Sequence, residues 1–335
     1  MYKIIKKLIY KSNIVGYLLS DGENEVSITK DSLINFISSI DSSNIVNSST
    51  GFRISAEDYI IDALVYDNTF KNFNNSLFKA DLNKYYWLVN LSSHGGSTFS
   101  SGALRKWDFN GFMIKDAGDF IYSAINEAYI SEVLYLTYIN TAKYGLIKIL
   151  KSQDNGEIVE SIACITKLFN GVKYDVRKLL KRDTSFNDNI IKLSDIIVED
   201  IEKQRLYDMF ILDYIFVQRD RHMKNIEYLD SSNGKVLSPL FDFGGCLYYD
   251  IDDEMLQNYL YLDVDRAKVE SRTNLENVKF LLYLTDKIGF DLDLLLYNSK
   301  LVMEKYRGYY GLIRSKFILD LIERRIEIVR QIFSD

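Results

Sequence analysis

The pattern of apolar and polar residues changes about halfway along the chain. Short runs rich in β-branched and aromatic residues, such as 3–11 and 85–91, predict strands separated by turn residues. From about residue 173 onward, apolar residues recur at intervals of three and four with charged residues between them, which predicts packed amphipathic helices. The chain therefore has the pattern of an α+β protein.

These elements predict three parts: a small β-rich accessory module at 1–85, a second β-rich part at 86–170 and a helical part at 171–335. The first part carries no ionisable cluster, so both a structural cover and an interaction module remain open for it. The predicted strands are 3–11, 14–20, 25–29, 85–91, 104–109, 112–115, 157–169, 226–229 and 235–240. The predicted helices are 30–40, 123–150, 190–197, 201–217, 275–288, 292–306 and 316–333.

The rest of the chain is organised around residues 218–246. The apolar helix 201–217 leads into a loop that carries Asp220 and Asn225, and two strands follow it. Ser-Ser-Asn-Gly joins these strands, and Asn-Gly is a strong hairpin signal. Because Asn225 precedes the first strand and Asp242 follows the second, the hairpin brings both to one end. An amide oxygen and a carboxylate there can bind one Mg²⁺ ion.

Composition narrows the classes of function. The net charge of −6 argues against nucleic acid as the main partner, because binding it requires a basic surface. No run reaches 18 apolar residues and the N-terminus lacks the apolar region of a signal peptide, so we expect neither a membrane span nor export. Two distant cysteines, Cys164 and Cys246, fit a reducing cytoplasm and make a disulfide framework or a zinc site unexpected.

The two central motifs resemble those of the HipA-like serine/threonine kinases. D-R-H-x-x-N is followed by x-P-x-F-D-x-G, and the run PLFDFGGCLY with the acidic pair Asp252-Asp253 is similar to the small CtkA-type members. The resemblance is strong over 205–255, weaker over 93–170 and not detectable over 1–85. It implies a bilobal kinase-like fold with 86–170 as the N-lobe and 171–335 as the C-lobe. It also implies ATP and Mg²⁺ as cofactors and a protein Ser/Thr hydroxyl as acceptor.

Phosphoryl transfer assigns roles to the residues of these motifs. Asp220 can orient or deprotonate the acceptor hydroxyl, and Asn225 and Asp242 can hold Mg²⁺. His222 is a second candidate base, because histidine titrates near neutral pH, although a structural or phosphate-proximal role is the preferred interpretation. Arg219 and Arg221 can stabilise transferred charge or pair with acidic neighbours. The acidic run 250–254 lacks the spacing of an EF-hand and is interpreted as a solvated loop.

Upstream residues complete the predicted nucleotide site. Lys115 follows three apolar residues on a predicted strand and is the candidate cation for the α/β-phosphates. Glu127 and Glu132 lie on the next helix, and either can pair with Lys115. The run Tyr-Ile-Ser-Glu-Val-Leu resembles the glutamate-bearing helix of the family, which favours Glu132.

A hydroxyl- and glycine-rich loop at 92–103 precedes these strands. It does not match a Walker A motif, and it is either a flexible hairpin loop or a cover for the nucleotide phosphates. Ser100, Ser101 and Gly102 are its candidate cofactor-binding residues, and the resemblance implies autophosphorylation at either serine. Cys164 lies in the predicted adenine hinge, 163–167, where it is interpreted as a buried apolar residue.

The sequence therefore predicts an ATP- and Mg²⁺-dependent phosphotransferase of the HipA/CtkA type. A lipid or small-molecule kinase shares the same core and differs in its acceptor groove, although the acidic net charge argues against lipid. A non-catalytic nucleotide-binding interaction module is the third hypothesis. The resemblance also implies an antitoxin-like or regulatory partner.

Overall fold

The structure is a computed structural model. It describes residues 3–10, 13–20, 25–29, 85–88, 106–109, 112–117, 120–152, 158–167, 173–174, 176, 185–221, 225–231, 234–260 and 275–334. The predicted helix 30–40, the loop 92–103 and His222 lie outside the described residues.

The chain forms two compact units, and each combines two separate stretches of sequence. The first unit comprises Met1–Gly118 and Gly145–Ile165, and the second comprises Asp119–Tyr144 and Thr166–Asp335. In sequence, the first helix of the second unit therefore lies between strands of the first unit. The division predicted from sequence, at residues 85 and 170, stays a prediction.

The first unit contains two sheets. Strands β1, β2 and β3 form an antiparallel sheet in sequence order, and the other sheet has the order β4-β7-β8-β6-β5. In the second sheet β4 pairs with β7 in parallel, whereas β5 and β6 form an antiparallel pair that aligns Lys106 with Lys115. The bounds are β1 Lys3–Tyr10, β2 Asn13–Ser20, β3 Glu25–Thr29, β4 Tyr85–Leu88, β5 Lys106–Phe109, β6 Phe112–Asp116, β7 Tyr144–Ser152 and β8 Ile158–Lys167.

The second unit is mainly helical. Its helices are α1 Ile121–Leu136, α2 Phe186–Asp195, α3 Asp200–Ile215, α4 Leu275–Leu281 and α5 Leu292–Ser334. A small antiparallel sheet of β9 Lys173–Tyr174, β10 Tyr228–Ser231 and β11 Gly234–Leu237 accompanies them.

Helix α3 is the buried centre of this unit. Ten consecutive residues, from Leu206 to Ile215, are buried, so α3 has neighbours on every side along its second half. Helices α1 and α3 both pack against α5. Buried polar bonds fix the contact between α1 and α5: the Tyr129 hydroxyl donates to the Ser299 carbonyl at 3.1 Å, and the Asn298 amide donates to Thr137 Oγ1 at 3.2 Å.

The predicted α+β class is confirmed, and the Asn-Gly hairpin is confirmed as β10 and β11, in which Ser231 faces Gly234. The predicted helix 123–150 is wrong beyond Leu136. Tyr138 there has a left-handed backbone with φ 63°, and Tyr144–Ser152 then forms strand β7. Its short apolar run fits both a helix and a strand, so periodicity alone could not separate the two.

The predicted helices 292–306 and 316–333 join into the single element α5, which is broken at Gly311 with φ 76° and ψ 169°. Within the described ranges, no helix combines the length and hydropathy that crossing a membrane requires.

Candidate active site

Asp220 lies just after the C-terminal end of helix α3. The backbone N–H of Gln218 donates to the Asp213 carbonyl at 2.8 Å and closes the end of the helix. Val217 adopts a left-handed backbone with φ 52°, which is rare for a β-branched residue. The chain therefore turns sharply just before Asp220, whose side chain is exposed.

The second loop, 241–248, also has an unusual backbone. Five non-glycine residues in the described part of the chain have positive φ, and four of them lie in these two loops: Val217, Asp242, Leu247 and Tyr248. Such conformations cost on the order of 1–3 kcal/mol each and persist only where the surroundings enforce them. Their concentration here makes the two loops the candidate functional region of this unit.

Arg221 fastens the two loops to helix α3. It is 1% exposed and forms a bidentate pair with the fully buried Asp213, with Nε–Oδ2 and Nη2–Oδ1 distances of 2.9 Å. Its Nη1 donates to the carbonyls of Asn225, at 3.0 Å, and Phe241, at 2.8 Å. One guanidinium therefore joins the helix, the Asp220 loop and the Asp242 loop.

The charge state of Arg221 follows from these contacts. Burial alone lowers the pKa of a guanidinium, but the adjacent Asp213 carboxylate outweighs this effect and holds the pKa of Arg221 above its ordinary value. Arg221 is therefore a fixed structural cation paired with an acidic neighbour, which is one of the two roles expected for it.

Gln218 forms a second link between the loops. Its Nε2 donates to the Asp242 carbonyl at 2.7 Å, and its Oε1 accepts from the Asp220 N–H at 2.9 Å. Two backbone bonds run alongside, from the Arg219 N–H to the Gly245 carbonyl at 3.2 Å and from the Leu247 N–H to the Phe216 carbonyl at 2.9 Å. The structure thus brings together the two loops that carry the predicted Asp220, Asn225 and Asp242.

The oxygen donors in these loops fit a small hard cation. Asn225 is buried, and its Nδ2 donates to the Asp220 carbonyl at 2.8 Å, which orients the amide and leaves its oxygen as the donor atom for a metal. Asp242 adds a half-buried carboxylate from the neighbouring loop. Mg²⁺ binds proteins through one or two such oxygens and keeps water or phosphate oxygens at its other positions.

The structure separates the two glutamates of α1. Glu127 is 2% exposed, and its Oε2 accepts from the Phe243 N–H, beside Asp242, at 2.8 Å. Glu132 lies elsewhere: its Oε2 accepts from Lys305 Nζ at 2.7 Å and from the Tyr306 hydroxyl at 2.9 Å, both on α5. Of the two candidates, Glu127 is the one that reaches the Asp242 loop.

The remaining predicted residues lie in the first unit or outside the described residues. Lys115 is buried on β6, and the neighbouring Asp116 accepts from the Ser161 hydroxyl at 2.8 Å. Cys164 is a buried free thiol on β8, in agreement with its interpretation as a buried residue. Ser100, Ser101, Gly102 and His222 lie outside the described residues.

The acidic run 250–254 is a turn whose residues are mostly exposed, as the sequence predicts, but two of its carboxylates are paired. Asp250 forms an ion pair with Arg219, and Asp253 accepts from Arg314 Nε at 2.7 Å. Arg314 is fully buried and also donates to the carbonyls of Tyr248, at 3.2 Å, and Ile251. Two acidic residues of the run therefore fasten the segment 248–253 to the rest of the unit.

Sequence reasoning missed Gln218, Asp213 and Arg314. A signal for Asp213 was present, because a lone carboxylate inside the apolar run Phe-Ile-Leu-Asp-Tyr-Ile must be paired if it is buried. Gln218 and Arg314 carried no such signal, because their partners are mostly backbone atoms.

Comparison with curated proteins finds a kinase that is similar to part of the chain. It is 35% identical over 83 residues to the serine/threonine-protein kinase CtkA of Helicobacter pylori, a match that covers 24% of this chain and 26% of that protein. The resemblance to HipA/CtkA-like kinases is confirmed. The chain spans about a quarter of the length of the curated relative it matches. No protein-family model matches the chain.

Two solved structures are similar at lower identity. The crystal structure of the Helicobacter pylori proinflammatory kinase CtkA is 18% identical, covers 72% of this chain and 94% of its own, and gives a TM-score of 0.47. The toxin–antitoxin complex of HipA, HipB and operator DNA from Shewanella oneidensis is 12% identical, covers 100% and 97%, and gives a TM-score of 0.36.

Proposed function

We propose that the chain is an ATP- and Mg²⁺-dependent phosphotransferase that acts on a serine or threonine hydroxyl of a protein. The observation that carries the proposal is that hydrogen bonds of Gln218 and Arg221, together with two backbone hydrogen bonds, hold the Asp220 and Asp242 loops against each other. Phosphoryl transfer depends on positioning and electrostatics more than on covalent chemistry, so rigidly held carboxylates are what it requires. The similarity to a serine/threonine kinase supports the same reaction.

Each residue of the loops has a role in this proposal. Asp220 is exposed and can orient the acceptor hydroxyl or take its proton. The Asn225 amide oxygen and the Asp242 carboxylate would hold Mg²⁺, which neutralises charge on the nucleotide phosphates when it is bound. Arg221 is engaged by Asp213 and by two carbonyls, so it supports the loops instead of binding the transferred phosphoryl group.

Glu127 replaces Glu132 in our proposal as the acidic residue that supports nucleotide binding. Its carboxylate accepts from the Phe243 N–H, so it is tied to the segment that carries the Asp242 carboxylate. Glu132 is engaged by Lys305 and Tyr306 on α5.

The other parts of the nucleotide site remain predictions. Lys115 would bind the α/β-phosphates, and Ser100, Ser101 and Gly102 would cover them. Backbone around Cys164 would meet the adenine. His222 and an antitoxin-like regulatory partner also remain predictions.

The test is release of ADP from Mg-ATP together with intact-protein mass spectrometry. Asp220→Ala should lower turnover by about 10²- to 10⁴-fold while ATP still binds, because it removes the acid–base group alone. Asp242→Asn should weaken Mg²⁺-dependent ATP binding itself, because it removes the charged metal ligand. The exposed Asp252 offers a matched control, and Asp252→Asn should behave as the parent.

Phosphate on the parent alone, within Ser97 to Ser101, would add autophosphorylation and favour a protein acceptor. Unchanged turnover in both Asp220→Ala and Asp242→Asn would overturn the assignment. Failure of the parent to bind ATP at all would favour a non-catalytic interaction module.

A further inference from the structure

Gln218 occupies a particular place between the two loops. Its side chain is 1% exposed, and its amide spans the backbone N–H of Asp220 and the backbone carbonyl of Asp242, at 2.9 Å and 2.7 Å. A primary amide carries one acceptor oxygen and a donor nitrogen, so a single side chain can serve both backbone groups. It therefore links the residues assigned to proton handling and to cation binding.

The surroundings hold this amide in place. The Gln218 backbone is fixed by its bond to the Asp213 carbonyl at the end of α3. On the other side lies Gly245, where a Cβ atom would lie 2.9 Å from Gln218 Oε1 and 3.0 Å from Asp220 Cβ. Any side chain at residue 245 would displace the amide or Asp220, so the glycine permits this close approach.

We propose that Gln218 is a positioning residue that sets the separation of the Asp220 and Asp242 carboxylates. The inference rests on the proposed phosphotransferase function. Both partners of the amide belong to the backbone of the two functional residues, so movement of the amide moves one carboxylate relative to the other. A displacement of about 1 Å at a reacting centre can lower a rate by about 10²-fold.

Two substitutions separate positioning from plain packing. In Gln218→Glu the carboxylate can still accept from the Asp220 N–H but cannot donate to the Asp242 carbonyl, and Gln218→Met makes neither bond. The matched control is Gln204→Met on α3, because Gln204 donates to Asp208 and to the Lys287 carbonyl, outside the two loops.

The measurements are a Mg²⁺ titration of ATP binding by calorimetry, a Mg²⁺ titration of ADP release, and the urea unfolding midpoint. For Gln218→Glu and Gln218→Met we expect turnover to fall by about 10- to 100-fold, the range for residues that orient a metal ligand. The Mg²⁺ concentration for half-maximal turnover should rise as well. Gln204→Met should be less stable than the parent but should keep the Mg²⁺ dependence of the parent.

Gly245→Ala tests the same geometry with Gln218 intact. This variant replaces the Gln218 variants in the experiment if those do not fold. It should shift the Mg²⁺ dependence in the same direction. Combined with Gln218→Met it should add little, because both changes disrupt one contact.

The outcomes distinguish this inference from the proposed function. A parent that binds no Mg-ATP overturns both. The positioning role alone is overturned if the parent turns over ATP and the Gln218 variants keep the Mg²⁺ dependence of the parent. In that case the variants would lose activity only in proportion to the loss of folded protein.

Discussion

At the scale of single residues, the second unit depends on charges that are buried and paired. Asp213 and Arg221 are 0% and 1% exposed, and Glu127 is 2% exposed. Burying a charge is costly unless hydrogen bonds and an opposite charge offset the loss of water. Arg221 satisfies Asp213 and two carbonyls, and Glu127 accepts from the Phe243 N–H. These contacts converge on the two loops that carry the candidate site.

The two glutamates of α1 give a matched pair of substitutions. Glu127→Gln keeps an oxygen that can accept from the Phe243 N–H but removes the charge, so turnover should fall by about 10- to 100-fold. Glu132→Gln loses an ion pair with the half-exposed Lys305, which is worth less than about 1 kcal/mol, and its turnover should match the parent.

Steady-state ADP release, normalised to folded protein by circular dichroism, compares the two variants. The reverse order, with Glu132→Gln the more impaired, would restore the choice made from the sequence run around Glu132.

The proximity of the Asp220 and Asp242 loops could be predicted from sequence, because its cause is local. Asp220, Asn225 and Asp242 lie around a single hairpin within one short stretch of the chain. The choice between Glu127 and Glu132 could not be made, because it depends on which face of α1 meets a loop more than 100 residues away. Helical periodicity gives the faces but does not say what each one packs against.

At the scale of elements, helix α3 is tied to the loop before α5 by a buried carboxylate. Asp208 is 8% exposed and accepts from the Gln204 amide and the Gly289 N–H, each at 2.9 Å. Burial raises its pKa to about 6, although these bonds and the nearby Arg205 and Lys287 partly oppose the rise. A carboxyl with a raised pKa in the folded state makes stability depend on pH.

The sign of this dependence follows from the two states. The unfolded carboxyl has a pKa of about 3.9, so between about pH 4 and pH 6 the folded state holds a proton that the unfolded state has lost. The contribution of Asp208 to stability is full below about pH 4 and falls as the pH rises through about 6, by on the order of 3 kcal/mol.

Urea unfolding of the parent and of Asp208→Asn across this range measures the effect. The stability of the parent relative to the variant should decline from pH 4 to pH 6 and level off above pH 7. A difference that is constant with pH would show that Asp208 ionises normally in the folded state.

Helix α5 contains a second element-scale feature, the break at Gly311. Its φ of 76° and ψ of 169° belong to a region that is open essentially to glycine alone, whereas Gly308, three residues earlier, lies in the regular helix. Apart from the adjacent backbone of the helix, neither glycine has an atom within 4 Å of where a Cβ would be, so the two positions differ in backbone conformation and not in available space.

Alanine at these two positions should therefore have opposite effects. Gly308→Ala should stabilise the protein by about 0.5–1 kcal/mol, because alanine favours a helix interior. Gly311→Ala should destabilise it by on the order of 1–3 kcal/mol, the cost of a strained backbone. Urea midpoints of both variants check this, and stabilisation by both would mean that α5 continues unbroken past Gly311.

Among the elements, the predictable ones were those with one clear period. The hairpin and the strand Ile158–Lys167 follow from turn chemistry and β-branched content. The helix predicted for 123–150 was wrong beyond Leu136 because the apolar residues of this segment fit both a helix and a strand. The left-handed backbone of Tyr138, just after the helix, has no signal in the sequence. The break in α5 was visible only as a gap between two predicted helices.

At the scale of the whole molecule, the second unit is not continuous in sequence. Helix α1 lies within Asp119–Tyr144, which groups with Thr166–Asp335, although in sequence it stands between strands of the first unit. Contact between α1 and distant elements decides this grouping, so a sequence division at residue 170 could not detect it. The nature of the acceptor is likewise a property of surfaces that the motifs do not specify.

A fragment experiment tests the boundary directly. Helix α1 buries four aliphatic side chains at 0% exposure: Ile125, Ile130, Val133 and Leu134. At about 1.5–3 kcal/mol for each, their burial is worth about 6–12 kcal/mol, which is comparable to the whole stability of a typical domain. The fragment 171–335 alone should therefore unfold without a cooperative transition, whereas 119–144 joined to 166–335 by a flexible linker should unfold cooperatively.

Near-ultraviolet circular dichroism during urea titration reports the packing of the tyrosines that α1 shares with α5, since the Tyr129 ring lies 5.8 Å from those of Tyr306 and Tyr310. A strong signal that is lost in one transition is expected only for the fragment that includes 119–144. If 171–335 gives the same signal and the same transition, then α1 is dispensable, and the boundary at residue 170 is the correct one.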